Sequence, residues 1–137
     1  MKPQQELQQE PQQNLQQRIG QQRVQHIVDS YLLKGNEPKA FDTYLRHLLG
    51  QYPDGLVELA LVETIVKNWL TIPMQKGIPF LTIAHDQIKQ WQQGVQNISL
   101  THSQFQQITG LDPETAFTPL EQIQQQLTPT ATKDGLS

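Results

Sequence analysis

No cysteine occurs anywhere in the 137 residues of the chain. That absence removes disulfide frameworks, thiolate zinc clusters, iron–sulfur sites and thiol nucleophiles together. Positive charge is also scarce. Ten Lys and Arg stand against thirteen Asp and Glu, a formal net charge of −3. A protein that grips duplex nucleic acid ordinarily carries a basic patch, and here no Lys or Arg occurs between Lys89 and Lys133. Long apolar runs are missing too. The richest stretch, Leu56 to Leu70, carries Glu58, Glu63 and Lys67 and is shorter than the ~20 residues a bilayer span needs, so no membrane insertion is expected. The opening Met1-Lys2-Pro3-Gln4-Gln5 has no apolar core of the signal-peptide kind, and a soluble cytoplasmic protein is expected. No segment alternates with period two among β-branched residues, which argues against a sheet.

What the chain has in excess is glutamine, 25 residues of which all but Gln51 and Gln75 are gathered in 4–25, 87–107 and 122–126. The apolar residues are concentrated instead between Val24 and Trp91. Residues 1–17 hold little that is apolar beyond Leu7 and Leu15 and are expected as a disordered Gln-rich arm. Residues 18–128 form one helical domain, and 129–137 a flexible tail. The first helix is expected from about Arg18 to Lys34, with Val24, Ile27, Val28, Tyr31 and Leu32 on one face and Gly35 just past its end. The second runs from about Pro38 to Gln51. Its stripe is Phe41, Tyr44, Leu45, Leu48 and Leu49, and Asp42 and Arg46 are spaced as an (i, i+4) ion pair.

The third helix, about 55–70, is apolar almost all round, the mark of a central element, with Glu63 and Lys67 at its exposed edge. The fourth spans about Pro79 to Gln93. It turns Phe80, Ile83, Ala84, Ile88 and Trp91 inward, with Leu81 at the margin and His85 and Asp86 toward water. Thr101 with Gln104 predicts a capping box for a fifth helix ended by Gly110. A sixth is expected after Thr118, with Pro119 at its first position and Glu121 completing a second capping box. The fold class is therefore all-α: an irregular or orthogonal bundle of five to six helices around the helix at 55–70.

Each catalytic pattern in the sequence also has a plainer reading. His85-Asp86 matches the pair used by helical HD-type metal-dependent phosphohydrolases, but the further His and Asp those sites need have no matching spacing. His26, Asp29 and His47 could form a two-His-one-carboxylate set, although scattered surface histidines are commoner. No Gly-x-Ser-x-Gly elbow and no phosphate loop is present. Residues 101–127 resemble a helix-turn-helix in outline, yet Pro113 and Pro119 interrupt the second helix and cationic donors for DNA are absent.

The segments IVDSYLLKG, LVELALVETIVKNWL, FLTIAHDQIKQW and LTHSQFQQITGLDP resemble short conserved proteins of cyanobacteria with no assigned function. The likeness covers half to two-thirds of the chain, implies a bacterial setting and carries over no site residue. The residues themselves point to a non-enzymatic protein–protein interaction module: a regulator, assembly factor or adaptor. Trp69, Trp91, Ile72, Met74 and Ile78 are its candidate partner surface, because the apolar content around 69–91 exceeds what a small bundle needs to cover. The partner is expected to be another protein or a second copy of the chain, with no cofactor, no catalytic residue and no metal ligand. The competing classes are a nucleic-acid-binding regulator, which needs Arg18, Arg23, Lys34, Lys39 and Arg46 on one face, and the phosphohydrolase.

Overall fold

The computed structural model describes residues 11–69 and 75–127. Among them the protein is all-helical: α1 Pro11–Ser30, α2 Pro38–Gln51, α3 Asp54–Asn68, α4 Ile78–Gln92, α5 His102–Thr109 and α6 Pro113–Leu127. No described helix is long and apolar enough to cross a membrane.

The third helix is the hub. Its residues Gly55 to Ile65 are buried without interruption, and α3 packs against all five other helices. An uninterrupted buried run of this kind follows from apolar side chains on every side of the helix. Two of the residues in it are carboxylates. Glu63, expected at an exposed edge, is 0% exposed, as is Glu58. Each is held by partners brought from elsewhere, as buried charge requires. Glu63 accepts from the Ser99 hydroxyl at 2.8 Å and from the Ser99 backbone N–H. Lys67 Nζ stands 3.5 Å from it. Lys67 also donates to Gln87, which donates to Asn97, which donates to Gln90. This chain of amides fastens the 93–100 connection to the hub. The glutamines on α4 therefore contribute ordered hydrogen bonds there rather than only a solvated face.

Helix α1 begins at Pro11, earlier than the residue near 18 expected from periodicity, so 11–17 of the anticipated disordered arm are helical. Residues 1–10 and 129–137 lie outside the described residues. The helix also ends earlier than expected. Leu33 N–H bonds the Val28 carbonyl at 3.0 Å and Leu32 N–H the Asp29 carbonyl at 3.3 Å, the paired bonds of a Schellman ending. Leu32 occupies the left-handed position at φ 53°, where glycine was expected to act as Gly35. Leu33 turns into the core in its place.

Helix α6 starts at Pro113 and carries Pro119 inside it, so the expected second capping box does not form. Thr118 lies within the helix and its hydroxyl donates to the Glu114 carbonyl. Pro119 cannot supply the N–H that the Thr115 carbonyl would take. That carbonyl lies against Gly55, where any Cβ would collide with it. The first capping box is present as expected: Gln104 N–H donates to Thr101 Oγ1, and the Gln104 side chain accepts from Thr101 N–H.

Candidate docking groove

Three helices bring their C-terminal ends together. Tyr31 follows the last residue of α1, Trp69 follows α3, and Ile108 lies next to the last residue of α5. Tyr31 and Trp69 meet edge to face with ring centroids 6.3 Å apart and planes inclined at 71°. The Tyr31 hydroxyl donates to the Ile108 carbonyl at 2.9 Å, one of the carbonyls a helix end leaves without a partner. One residue further on, the Thr109 carbonyl receives His26 Nε2 at 2.9 Å. His26 and Tyr31, both on the α1 side, thus cap α5 together, and His26 is spoken for as a hydrogen-bond donor.

Between these ends runs an apolar groove of about 370 Å³, lined by Tyr31, Val66, Trp69 and Ile108. Trp69 is 62% exposed on its rim. Beside Tyr31 along the chain, Leu32 is 70% exposed and lines a second depression with Val28, Asp29, Lys34 and Gly35. A left-handed backbone costs an ordinary residue roughly 1–2 kcal/mol. Leu32 therefore holds a large apolar side chain in water at a position where glycine would stabilise the fold better.

Of the residues expected on a partner surface, Trp69 is exposed at the rim of the groove and Ile78 is half-buried at the start of α4. Trp91 is not on the surface: at 1% exposure it is one of the largest core side chains. Its place on α4 beside Phe80, Ala84 and Ile88 turns it inward. Ile72 and Met74 lie outside the described residues. Tyr31, Val66, Leu32 and Ile108 were missed. The signal that could have marked Leu32 is the pair of leucines at the end of α1, of which only one can face the core.

His85 corrects another expectation. It does not face water on the far side of α4. It sits on the flank turned toward α2, with Tyr44 Oη 2.9 Å from Nδ1 and Tyr52 Oη 3.1 Å from Nε2. Both rings meet the imidazole edge-on. A neutral imidazole has one donor and one acceptor nitrogen, so one tyrosine accepts from the ring and the other donates to it. Burial, with smaller contributions from Lys89 and His47 and against the pull of Asp86, lowers the pKa of His85. Both ring nitrogens are therefore occupied. Asp86 is exposed beside it. Among the described residues no three histidine or acidic side chains gather as a metal-binding set.

The cations of the nucleic-acid reading are partly committed as well. Arg23 is ion-paired with Glu58, and Lys34 Nζ lies 3.3 Å from Asp42. Compared with known proteins, the chain matches no family, no curated protein and no solved structure.

Proposed function

We propose that the protein is a non-enzymatic interaction module, a cytoplasmic regulator, assembly factor or adaptor that docks another protein at the groove between Tyr31 and Trp69. The observation that carries this reading is the exposed Trp69 indole over an apolar groove. Tryptophan so placed is typical of the anchors that dominate binding energy. The strained, exposed Leu32 nearby supports it, since residues held against backbone preference cluster at functional positions.

The groove also favours one kind of occupant. The carboxyl ends of α1, α3 and α5 surround it, and helix carboxyl ends carry partial negative charge. The aromatic faces of Tyr31 and Trp69 attract cations further. The proposed occupant is an apolar anchor residue on a partner segment flanked by Lys or Arg.

The test places a photo-crosslinking amino acid at position 69 of the full chain, alongside a Trp69→Ala variant. The expected result is one crosslinked protein, joined through an apolar segment with basic neighbours, and loss of its capture by Trp69→Ala while the fold is retained. Crosslinking only to a second copy of the chain would replace the partner with a homodimer. Capture of nucleic acid alone, or a partner retained equally by Trp69→Ala, would overturn the proposal.

A further inference from the structure

We propose that the cleft between α1 and α2 binds a free α-amino acid as its zwitterion, with the ligand carboxylate on Arg46 and its ammonium group on Asp54.

The cleft consists of two adjoining depressions, of about 260 and 190 Å³, which share Gln21, Arg46 and Leu49. These volumes are below the range of drug-sized sites and suit a small metabolite. Arg46 is spaced to pair with Asp42, but Asp42 turns to Lys34 instead. Arg46 is left with no hydrogen bond or ion pair among the described residues. Asp54, on the wall of the smaller depression, is in the same position. The two charges line one depression yet form no ion pair with each other. A zwitterion, with one charge at each end, can bridge two opposite charges that line one depression and are not paired with each other. Burial without a compensating cation pushes the Asp54 pKa up, the condition a bound ammonium group would relieve.

Two glycines inside helices shape the site. Glycine in a helix interior costs about 1 kcal/mol relative to alanine. Gly20 of α1 makes room for the Asp54 carboxylate, which a Cβ there would strike. Gly50 of α2 has no such neighbour. A Cβ on it would meet nothing within 4 Å, and its φ is not positive. Neither packing nor backbone geometry requires glycine at 50, but Gly50 is part of the wall of the smaller depression. Its missing side chain leaves that wall open. Gln17 and Gln21, one turn apart on α1, present amides that can donate and accept along the ligand. Leu49 offers apolar surface for its side chain.

The experiment titrates the full chain with each of the twenty proteinogenic amino acids by calorimetry. Acetate and methylammonium serve as single-charge probes. The expected result is saturable binding of at least one amino acid and none of either probe. Arg46→Gln and Asp54→Asn should abolish that binding, and Gly50→Ala should weaken it about tenfold or more, equivalent to about 1.4 kcal/mol. Gly50→Ala should itself melt at or above the wild-type temperature, which separates loss of the site from loss of the fold. Trp69→Ala should bind the amino acid normally, so failure here is distinct from failure of the docking groove. The proposal is overturned if no amino acid binds, if acetate binds as well as any of them, or if Arg46→Gln and Gly50→Ala bind like the wild type.

Discussion

Arg23 reaches from α1 to the carboxylate of Glu58 on the hub through two parallel hydrogen bonds, Nε to Oε2 and Nη2 to Oε1, each 2.9 Å. The same Nη2 donates to the Asp112 carbonyl at 2.8 Å. One guanidinium therefore ties α1, the centre of α3 and the α5–α6 connection. The fork geometry suits arginine alone, since a lysine could not make parallel bonds to both oxygens. Removing one partner of a buried pair leaves the other charge without compensation. Arg23→Ala should lower the unfolding free energy by about 3–5 kcal/mol. Replacing both residues with apolar ones of similar size, as in Arg23→Met with Glu58→Leu, should recover most of the loss. Urea denaturation of the two variants checks this. A double variant no more stable than Arg23→Ala would contradict it.

Leu32 separates stability from function. Its left-handed backbone is the position glycine fills without steric cost. Leu32→Gly should raise the unfolding free energy by about 1 kcal/mol and keep the Leu33 N–H to Val28 carbonyl bond. The same change removes an exposed apolar side chain beside Tyr31 in the chain, so capture of the proposed partner should weaken. Thermal melting and partner binding measured on one preparation should move in opposite directions.

Gly20 and Gly50 look alike in the sequence and should behave oppositely. Both lie within helices, Gly20 in the interior of α1 and Gly50 one residue from the end of α2, and a helix favours alanine over glycine by up to about 1 kcal/mol. At Gly50 a Cβ enters open space, and Gly50→Ala should stabilise by about 0.5–1 kcal/mol. At Gly20 the Cβ would meet the Asp54 carboxylate. Gly20→Ala should be destabilising unless Asp54 is also shortened, and Gly20→Ala with Asp54→Ala should recover stability. Melting temperatures of the three variants decide the matter.

The helices and the hub were legible because periodic burial is a local property. Phe41, Leu45 and Leu48 of α2 and the apolar members of the run 55–65 of α3 are buried as their spacing implies. Punctuation at α5 was legible for the same reason, since Thr101, Gln104 and Gly110 act within a few residues. Polar partners are a different case. Glu63 is buried because Ser99 comes to it from 36 positions away, and no pattern around either residue signals that meeting. On α4 the spacing implies a single stripe, but the helix packs on both α3 and α2. Its buried face therefore extends to Leu81, and His85 beyond it meets two tyrosines. One of the four residues lining the candidate groove, Trp69, was readable as a surplus aromatic at a helix end. Two of the others are Tyr31 and Ile108, 77 positions apart, which only the fold brings together.

His85 gives the clearest dependence on pH. Its folded pKa lies below the ordinary value of 6.5, chiefly through burial, so the unfolded chain binds the proton more readily. The resulting stability is complete above pH 6.5 and is lost as pH falls through the folded pKa. Protonation also turns both ring nitrogens into donors, so the tyrosine hydroxyl that had donated to the ring must turn to accept. Glu58 and Asp54 act with the opposite sign. Burial raises both above their ordinary values of 4.5 and 3.8, in Glu58 against the opposing pull of Arg23, so their contribution is complete below those values and declines as pH rises through the folded ones. The two effects overlap in mildly acidic solution, and a single stability curve would mix them. His85→Gln separates them, because a glutamine amide can donate to one tyrosine and accept from the other without titrating. The wild-type unfolding free energy minus that of His85→Gln should be constant above pH 6.5 and fall progressively below it. A difference that stays flat across that range would show that the two tyrosines do not hold His85 in its neutral form.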